Sequence, residues 1–181
     1  MDEQVYGVKQ QFIEKLIDNM HAFGVSPTVG RVLGTIYMNR EPMMLDELSV
    51  ETGMSKMRMS QVVREMMELN IAERVFKPGI RKDLYQVEQD YYETFISLFT
   101  STWQKAIKRN KQFEQKLMRN LKEIQEKQAE LSAEDEQLIN DYLEEAYEWM
   151  DYYDWIRRLI AHFESGEIFK YVPKNRRNSN E

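Results

Sequence analysis

Residues Ser55 to Glu88 read SKMRMSQVVREMMELNIAERVFKPGIRKDLYQVE, and two different periodicities follow one another within them. In the first half Met59, Val62, Val63 and Met66 recur three and four residues apart, the spacing of one helical face. The opposite face carries Lys56, Met57, Arg58, Gln61 and Arg64, and Ser55 stands at the N-cap position. In the second half AERVFK and DLYQVE alternate apolar and polar residues, which is the period of a strand. The Pro-Gly pair between them is a turn signal. The stretch therefore predicts a helix followed by a β-hairpin whose tip bears Lys77, Arg81 and Lys82.

Upstream, VSPTVGRVLGTIYMN predicts a helix with Ser26 as its cap and Pro27 in its first turn. LDELSVETG predicts a short helix ending at Gly53. Ahead of both, Val8, Phe12, Ile13, Leu16, Ile17, Met20 and Phe23 mark an amphipathic helix closed by Gly24. Downstream, one long amphipathic pattern runs from Asp90 to about Leu131. Ser132 and Asp135 form a capping pair for a last helix, which Gly166 ends. The tail after Pro173 is polar. These boundaries suggest an N-terminal helix over 1–24, a central domain over 25–89, a long helical region over 90–166 and a tail over 167–181.

The chain has 181 residues and a formal net charge of −6, so the basic hairpin tip is a local exception. Acidic balance excludes a protein coated in positive charge for loose nucleic-acid binding, but not a local basic surface. There is no cysteine, which excludes disulfides, thiolate chemistry and Cys-ligated metal. No signal-peptide order and no membrane-length apolar run is present, so a cytoplasmic protein without a membrane segment is expected.

Helix, short helix, glycine turn, longer basic helix, basic-tipped hairpin is the order of a winged helix-turn-helix. The expected fold is mainly α with a small β-hairpin wing, plus long dimerisation helices. In such a fold the second helix of the pair enters the DNA major groove. Residues opposite its buried stripe reach the base edges, which assigns Met57, Arg58 and Gln61 to bases. Ser55, Lys56 and Arg64 fall nearer the phosphates. On the wing, Arg81 suits the negative potential of a narrow minor groove, while Lys77 and Lys82 neutralise phosphate.

The stretches GVSPTVGRVLGTIYMNREPMMLDEL, GMSKMRMS and RVFKPGIRKDLYQVEQD resemble the MarR-type regulators, and most closely the GbsR branch, the glycine betaine synthesis repressors. The resemblance covers about Gly24 to Trp103. It implies a homodimeric repressor of genes for osmoprotectant uptake or synthesis, with choline as the associated inducer. It further implies a dimer built from the first helix and the last two long helices. The chain differs from the branch at Met57, Arg58 and Gln61, where small polar residues are usual, and at Tyr91–Tyr92, where Trp-Phe is usual.

The densest aromatic stretch is YEWMDYYDWIRRLIAHF. Aromatic faces hold quaternary ammonium ions through the ring quadrupole. If the two long helices turn back near Ser132, Phe99 and Trp103 come level with Trp155 to Phe163. Phe99, Trp103, Tyr152 and Trp155 are thus candidate walls of a ligand cage, with Asp151 or Asp154 adding charge complementarity. Trp149, Tyr153 and Phe163 fall on the apolar stripe and read as packing.

Two other function classes compete. An enzyme needs positioned acids, bases or nucleophiles. The chain offers His21 and His162 on separate helices, no nucleophile elbow, no metal-binding histidine pair and no phosphate loop, so neither catalysis nor a cofactor is expected. His162 is expected to meet the last carbonyls of its helix. The alternative is a winged-helix protein-interaction module with a coiled-coil-like platform and no ligand.

Overall fold

A computed structural model describes residues 3–126 and 132–175. Its elements are α1 (Glu3–His21), α2 (Pro27–Asn39), β1 (Met43–Met44), α3 (Leu45–Thr52), α4 (Lys56–Glu68), β2 (Ala72–Val75), β3 (Leu84–Val87), α5 (Tyr91–Glu126), α6 (Ala133–Glu164) and α7 (Ile168–Tyr171). Leu131, at the end of the long apolar pattern, and residues 176–181 of the tail lie outside the described residues. The chain forms two compact units, Met1–Thr102 and Trp103–Glu181, with the boundary inside α5.

The first unit is built around α2, which packs on α1, α3 and α4. Its start is fixed as expected: the Ser26 hydroxyl accepts from Val29 N–H and Pro27 opens the helix. α1 lies unusually close to it. A Cβ built on Gly30 would stand 2.9 Å from Ile17 Cα, and one on Gly34 3.2 Å from Ile13 Cγ2. The two glycines, one helical turn apart, let the backbones approach where a side chain would hold them off.

α4 buries the predicted stripe: Met59, Val62, Val63 and Met66 are at most 1% exposed. Burying a side chain of this size contributes roughly 1.5–3 kcal/mol. Leu48 of α3, Ile71, Val87 and Leu98 complete the same core. Leu98 is why the start of α5 belongs to this unit. Ser101 adds a polar tie, its hydroxyl donating to the carbonyl of Leu69 at 3.1 Å.

The expected two-stranded hairpin is a three-stranded antiparallel sheet in the order β1-β3-β2. β2 and β3 pair from Ala72↔Val87 to Val75↔Leu84. The added strand β1 is two residues long, pairing Met43↔Tyr85 and Met44↔Leu84. Two residues are too few to show a period, so no sequence pattern marks it.

In the second unit, α6 begins at the capping box expected from Ser132 and Asp135, with the Ser132 hydroxyl accepting from Asp135 N–H at 3.1 Å. α5 and α6 run antiparallel there: Gln104 bonds Glu164 at 2.8 Å, and Phe113 packs edge-on against Trp149 at 5.6 Å. His162 departs from expectation. Its Nδ1 lies 3.2 Å from the Glu167 carboxylate, because Gly166 (φ +71°) turns the chain back and brings Glu167 within reach. Beyond this turn lies α7, a single turn of helix too short for its apolar residues to reveal. No helix among the described residues is long and apolar enough to cross a membrane.

The close approach of α1 and α2 is directly testable. Overpacking costs roughly 1–3 kcal/mol, against a gain of about 1 kcal/mol in helix propensity for Gly to Ala. Gly30→Ala should therefore be net destabilising by about 1 kcal/mol, read as a lower urea midpoint. A raised midpoint would show that α1 yields at no cost.

Candidate nucleic-acid interface

The start of α4 is fixed by the turn and cap that precede it. Gly53 (φ +69°) takes the left-handed conformation that turns α3 into the following segment. The Ser49 hydroxyl donates to the Met54 carbonyl at 2.6 Å within that turn. The Ser55 hydroxyl accepts from Arg58 N–H at 3.2 Å, satisfying a donor that the helix leaves free. With the apolar stripe buried, Lys56, Met57, Arg58, Gln61 and Arg64 are all exposed. Met57 is 74% exposed, far more than a methionine recruited as core filler. Arg58 Nη1 reaches Gln61 Oε1 at 3.4 Å, so these two expected base readers lie side by side.

The wing tip is a tight turn at Lys77–Ile80. Ile80 N–H donates to the Lys77 carbonyl at 3.1 Å, with Pro78 first and Gly79 second of the central pair. Gly79 has φ +84°, which a type II turn requires at that position and glycine supplies without strain. The turn carries Lys77, Arg81 and Lys82 outward, all exposed, next to Phe76, which is 84% exposed. Among the described residues Arg64, Lys77 and Arg81 take part in no ion pair.

Lys56 and Lys82 are brought together. Lys56 opens α4 and Lys82 lies on the wing, yet both ammonium groups meet the carboxylate of Asp46 in the first turn of α3. The Lys56 Nζ to Oδ1 and Lys82 Nζ to Oδ2 distances are each 2.7 Å. Hydrogen bonds from the two lysines hold the Asp46 carboxyl down at about 2, and the same pairing raises Lys82. A depressed carboxylate keeps its contribution at every pH above its ordinary range and loses it only as pH falls toward 2. The Asp46 carboxylate is thus ionised at neutral pH, as the pairing requires. Sequence reasoning missed Asp46 as part of this surface. It stands 36 residues from Lys82, and no linear spacing connects them.

The four residues expected to form a ligand cage are divided by the unit boundary. Phe99 belongs to the first unit and stacks on Phe95 at 6.0 Å. Trp103, Tyr152 and Trp155 belong to the second. There Tyr152 meets Tyr153 edge-on at 5.3 Å, and Trp155 is exposed. Asp154, a candidate for charge complementarity, is already engaged by Arg157 at 2.8 Å and Arg158 at 3.6 Å.

The first unit holds an aromatic cavity of about 340 Å³ that the sequence did not announce. Phe23, Tyr37, Tyr91 and Phe95 contribute rings, and Asn19 and Thr94 contribute polar groups. Phe23 meets Phe95 edge-on at 5.8 Å, and Tyr37 and Tyr91 lie 5.2 Å apart. A hydrogen bond with Tyr37, then burial, raises the Tyr91 hydroxyl above its ordinary value. Arg40 covers the Tyr37 ring at 4.5 Å. These rings come from the turn after α1, from α2 and from α5, so their meeting depends on tertiary packing that no local motif encodes. The volume falls in the range of small-molecule pockets.

Residues 91–170 match the C-terminal helical hairpin of the GbsR family of transcriptional regulators. The chain is 60% identical over 166 residues to the putative HTH-type transcriptional regulator YvaV of Bacillus subtilis (strain 168), covering 92% of this chain and 93% of the relative. It is 57% identical over 168 residues to the HTH-type transcriptional repressor OpcR of the same organism, covering 93% and 90%. It is 34% identical over 170 residues to the HTH-type transcriptional repressor GbsR of that organism, covering 89% and 88%. A crystal structure of a transcriptional regulator superposes with a TM-score of 0.60 at 15% identity, covering 92% of this chain and 99% of that one, a likeness of fold alone. Relatives this similar over nearly their whole length, together with the basic helix and wing, place the function in regulation rather than catalysis: the chain belongs to the GbsR family of transcriptional regulators.

Proposed function

We propose that this regulator is a cytoplasmic homodimeric repressor that inserts α4 into the major groove of an operator and lays its wing along the neighbouring backbone. The observation that carries the reading is the exposed set of Lys56, Arg58, Arg64, Lys77, Arg81 and Lys82 on α4 and the wing of an otherwise acidic chain. Met57, Arg58 and Gln61 read bases; Ser55, Lys56, Arg64, Lys77 and Lys82 contact phosphate; Arg81 enters the minor groove. Arg81→Ala should weaken binding to most sequences and make the salt dependence shallower by about 0.9 in log–log slope. Gln61→Ala should instead alter sequence preference. An unchanged operator profile for the Gln61 variant would remove it from the base-reading set.

Two-fold operators call for a two-fold protein. Val5, Val8 and Phe12 of α1 are about half exposed, and so are Tyr142, Tyr152 and Trp155 of α6. On α1 the three recur at i, i+3 and i+7, which is one helix face, and an exposed apolar face of that kind suits a partner surface. Light scattering on the purified protein should give twice the 21.8 kDa of one chain. A monomer at micromolar concentration would rule out dimerisation through these faces.

For the effector, the resemblance to glycine betaine synthesis repressors supports a quaternary ammonium compound such as choline, and target genes of osmoprotectant uptake or synthesis. We place this ligand in the cavity lined by Phe23, Tyr37, Tyr91 and Phe95, because those rings already converge on one space. A ligand there presses on α2, which packs on both α3 and α4, and so favours one placement of the reading helix over another. The second reading is the cage of Phe99, Trp103, Tyr152 and Trp155. Calorimetric titration with choline, glycine betaine and a neutral tert-butyl analogue decides. Loss of one ring face should weaken choline roughly 2- to 30-fold. That loss should follow Phe95→Ala for the cavity and Trp155→Ala for the cage. No heat with any of the three would dismiss this class of effector.

A further inference from the structure

We propose that Asp46 is a built-in competitor for DNA phosphate: it occupies Lys56 and Lys82 in the free protein and restrains binding to every duplex, whatever its sequence. The inference rests on the DNA-binding reading above and adds to it a residue that opposes binding.

The geometry is specific. One carboxylate takes both ammonium groups, one through each oxygen, at 2.7 Å. That is the arrangement a single backbone phosphate would adopt between the same two lysines. The lysines come from different elements, the first turn of α4 and the wing, so Asp46 sits where those elements converge. Both lysine side chains are about three-fifths exposed and Asp46 about two-fifths, so DNA can reach all three.

Exposed ion pairs of this kind are weak and exchange readily. A duplex phosphate offers the same anionic partner and adds the release of condensed counterions. When it displaces Asp46, the carboxylate stays beside it and repels it. The three side chains then act as one positive charge and not two. Each lost positive contact makes the log–log salt slope shallower by about 0.9. At about 0.15 M salt this corresponds to roughly 5-fold weaker binding. The restraint keeps the protein from being held on the bulk of the genome, where non-specific sites vastly outnumber operators.

Two other carboxylates lie nearby and are common to all four proteins compared below. Glu47, the next carboxylate on α3, accepts from Met44 N–H at 2.7 Å and also attracts Lys82 through space, more weakly than Asp46 does. Asp83 on the wing pairs with Arg74 at 3.4 Å.

The test uses four full-length proteins and a short random-sequence duplex, with dissociation constants measured by fluorescence anisotropy over a range of KCl. They are the unaltered chain, Asp46→Asn, Lys82→Gln and the double variant. The triad charges are +1, +2, 0 and +1 in that order. Asp46→Asn should bind about 5-fold tighter with a slope steeper by about 0.9. Lys82→Gln should be shallower by the same amount, and the double variant should return to the original slope. Slopes that follow the lysine number alone, unchanged by Asp46→Asn, would overturn the proposal. So would weaker binding by Asp46→Asn at an unchanged urea midpoint, which would make Asp46 a positioning residue. If the unaltered chain fails to bind duplex at low salt, the DNA-binding reading itself falls.

Discussion

The burial of one stripe on α4 is the constraint on which the functional surface depends. Met59, Val62, Val63 and Met66 together remove from water side chains that contribute several kcal/mol, far more than any exposed ion pair on the opposite face. The helix therefore cannot rotate to suit its polar contacts. What faces outward is whatever the sequence placed a half-turn from that stripe: Lys56, Met57, Arg58, Gln61 and Arg64. The caps at Ser55 and Gly53 set where the helix begins, and the core sets which way it faces.

Electrostatics on that surface are less generous than a count of cations suggests. Two of the basic groups share one carboxylate, and Arg74 is taken by Asp83. Arg64, Lys77 and Arg81 remain outside any ion pair among the described residues and carry positive charge toward solvent from the helix and the wing. For a chain of net charge −6, this concentrates attraction for DNA on one face and leaves the remainder repulsive.

The same packing that orients α4 also shapes the aromatic cavity. Gly30 and Gly34 draw α1 onto α2, and the rings of Phe23 and Phe95 then meet over the gap beside Leu33 and Leu98. Arg40, at the end of α2 with φ +63°, holds a conformation that costs a non-glycine residue roughly 1–2 kcal/mol. Its guanidinium stacks on Tyr37 and donates to Gln89, contacts that offset this cost. Pocket wall and reading helix are thus two sides of one packed layer centred on α2.

Local chemistry in the sequence was enough to determine helices α1 to α6, the caps of α2, α4 and α6, the wing hairpin and the stripe that α4 buries, though not the single turn of α7. Each rests on contacts between residues within four positions or across one turn, so periodicity and cap residues carry the information. The GbsR-type character was legible too, in the residues of the helix pair and the hairpin. Tertiary structure alone decided the rest. β1 is too short for any period, and Asp46 meets Lys82 only because the sheet folds the wing back beside α3. The cavity joins rings from the turn after α1, from α2 and from α5 that lie as far apart in the chain as Phe23 and Phe95. Contacts between distant residues depend on the angles at which elements pack, and those angles are set by the whole core, which no stretch of sequence displays.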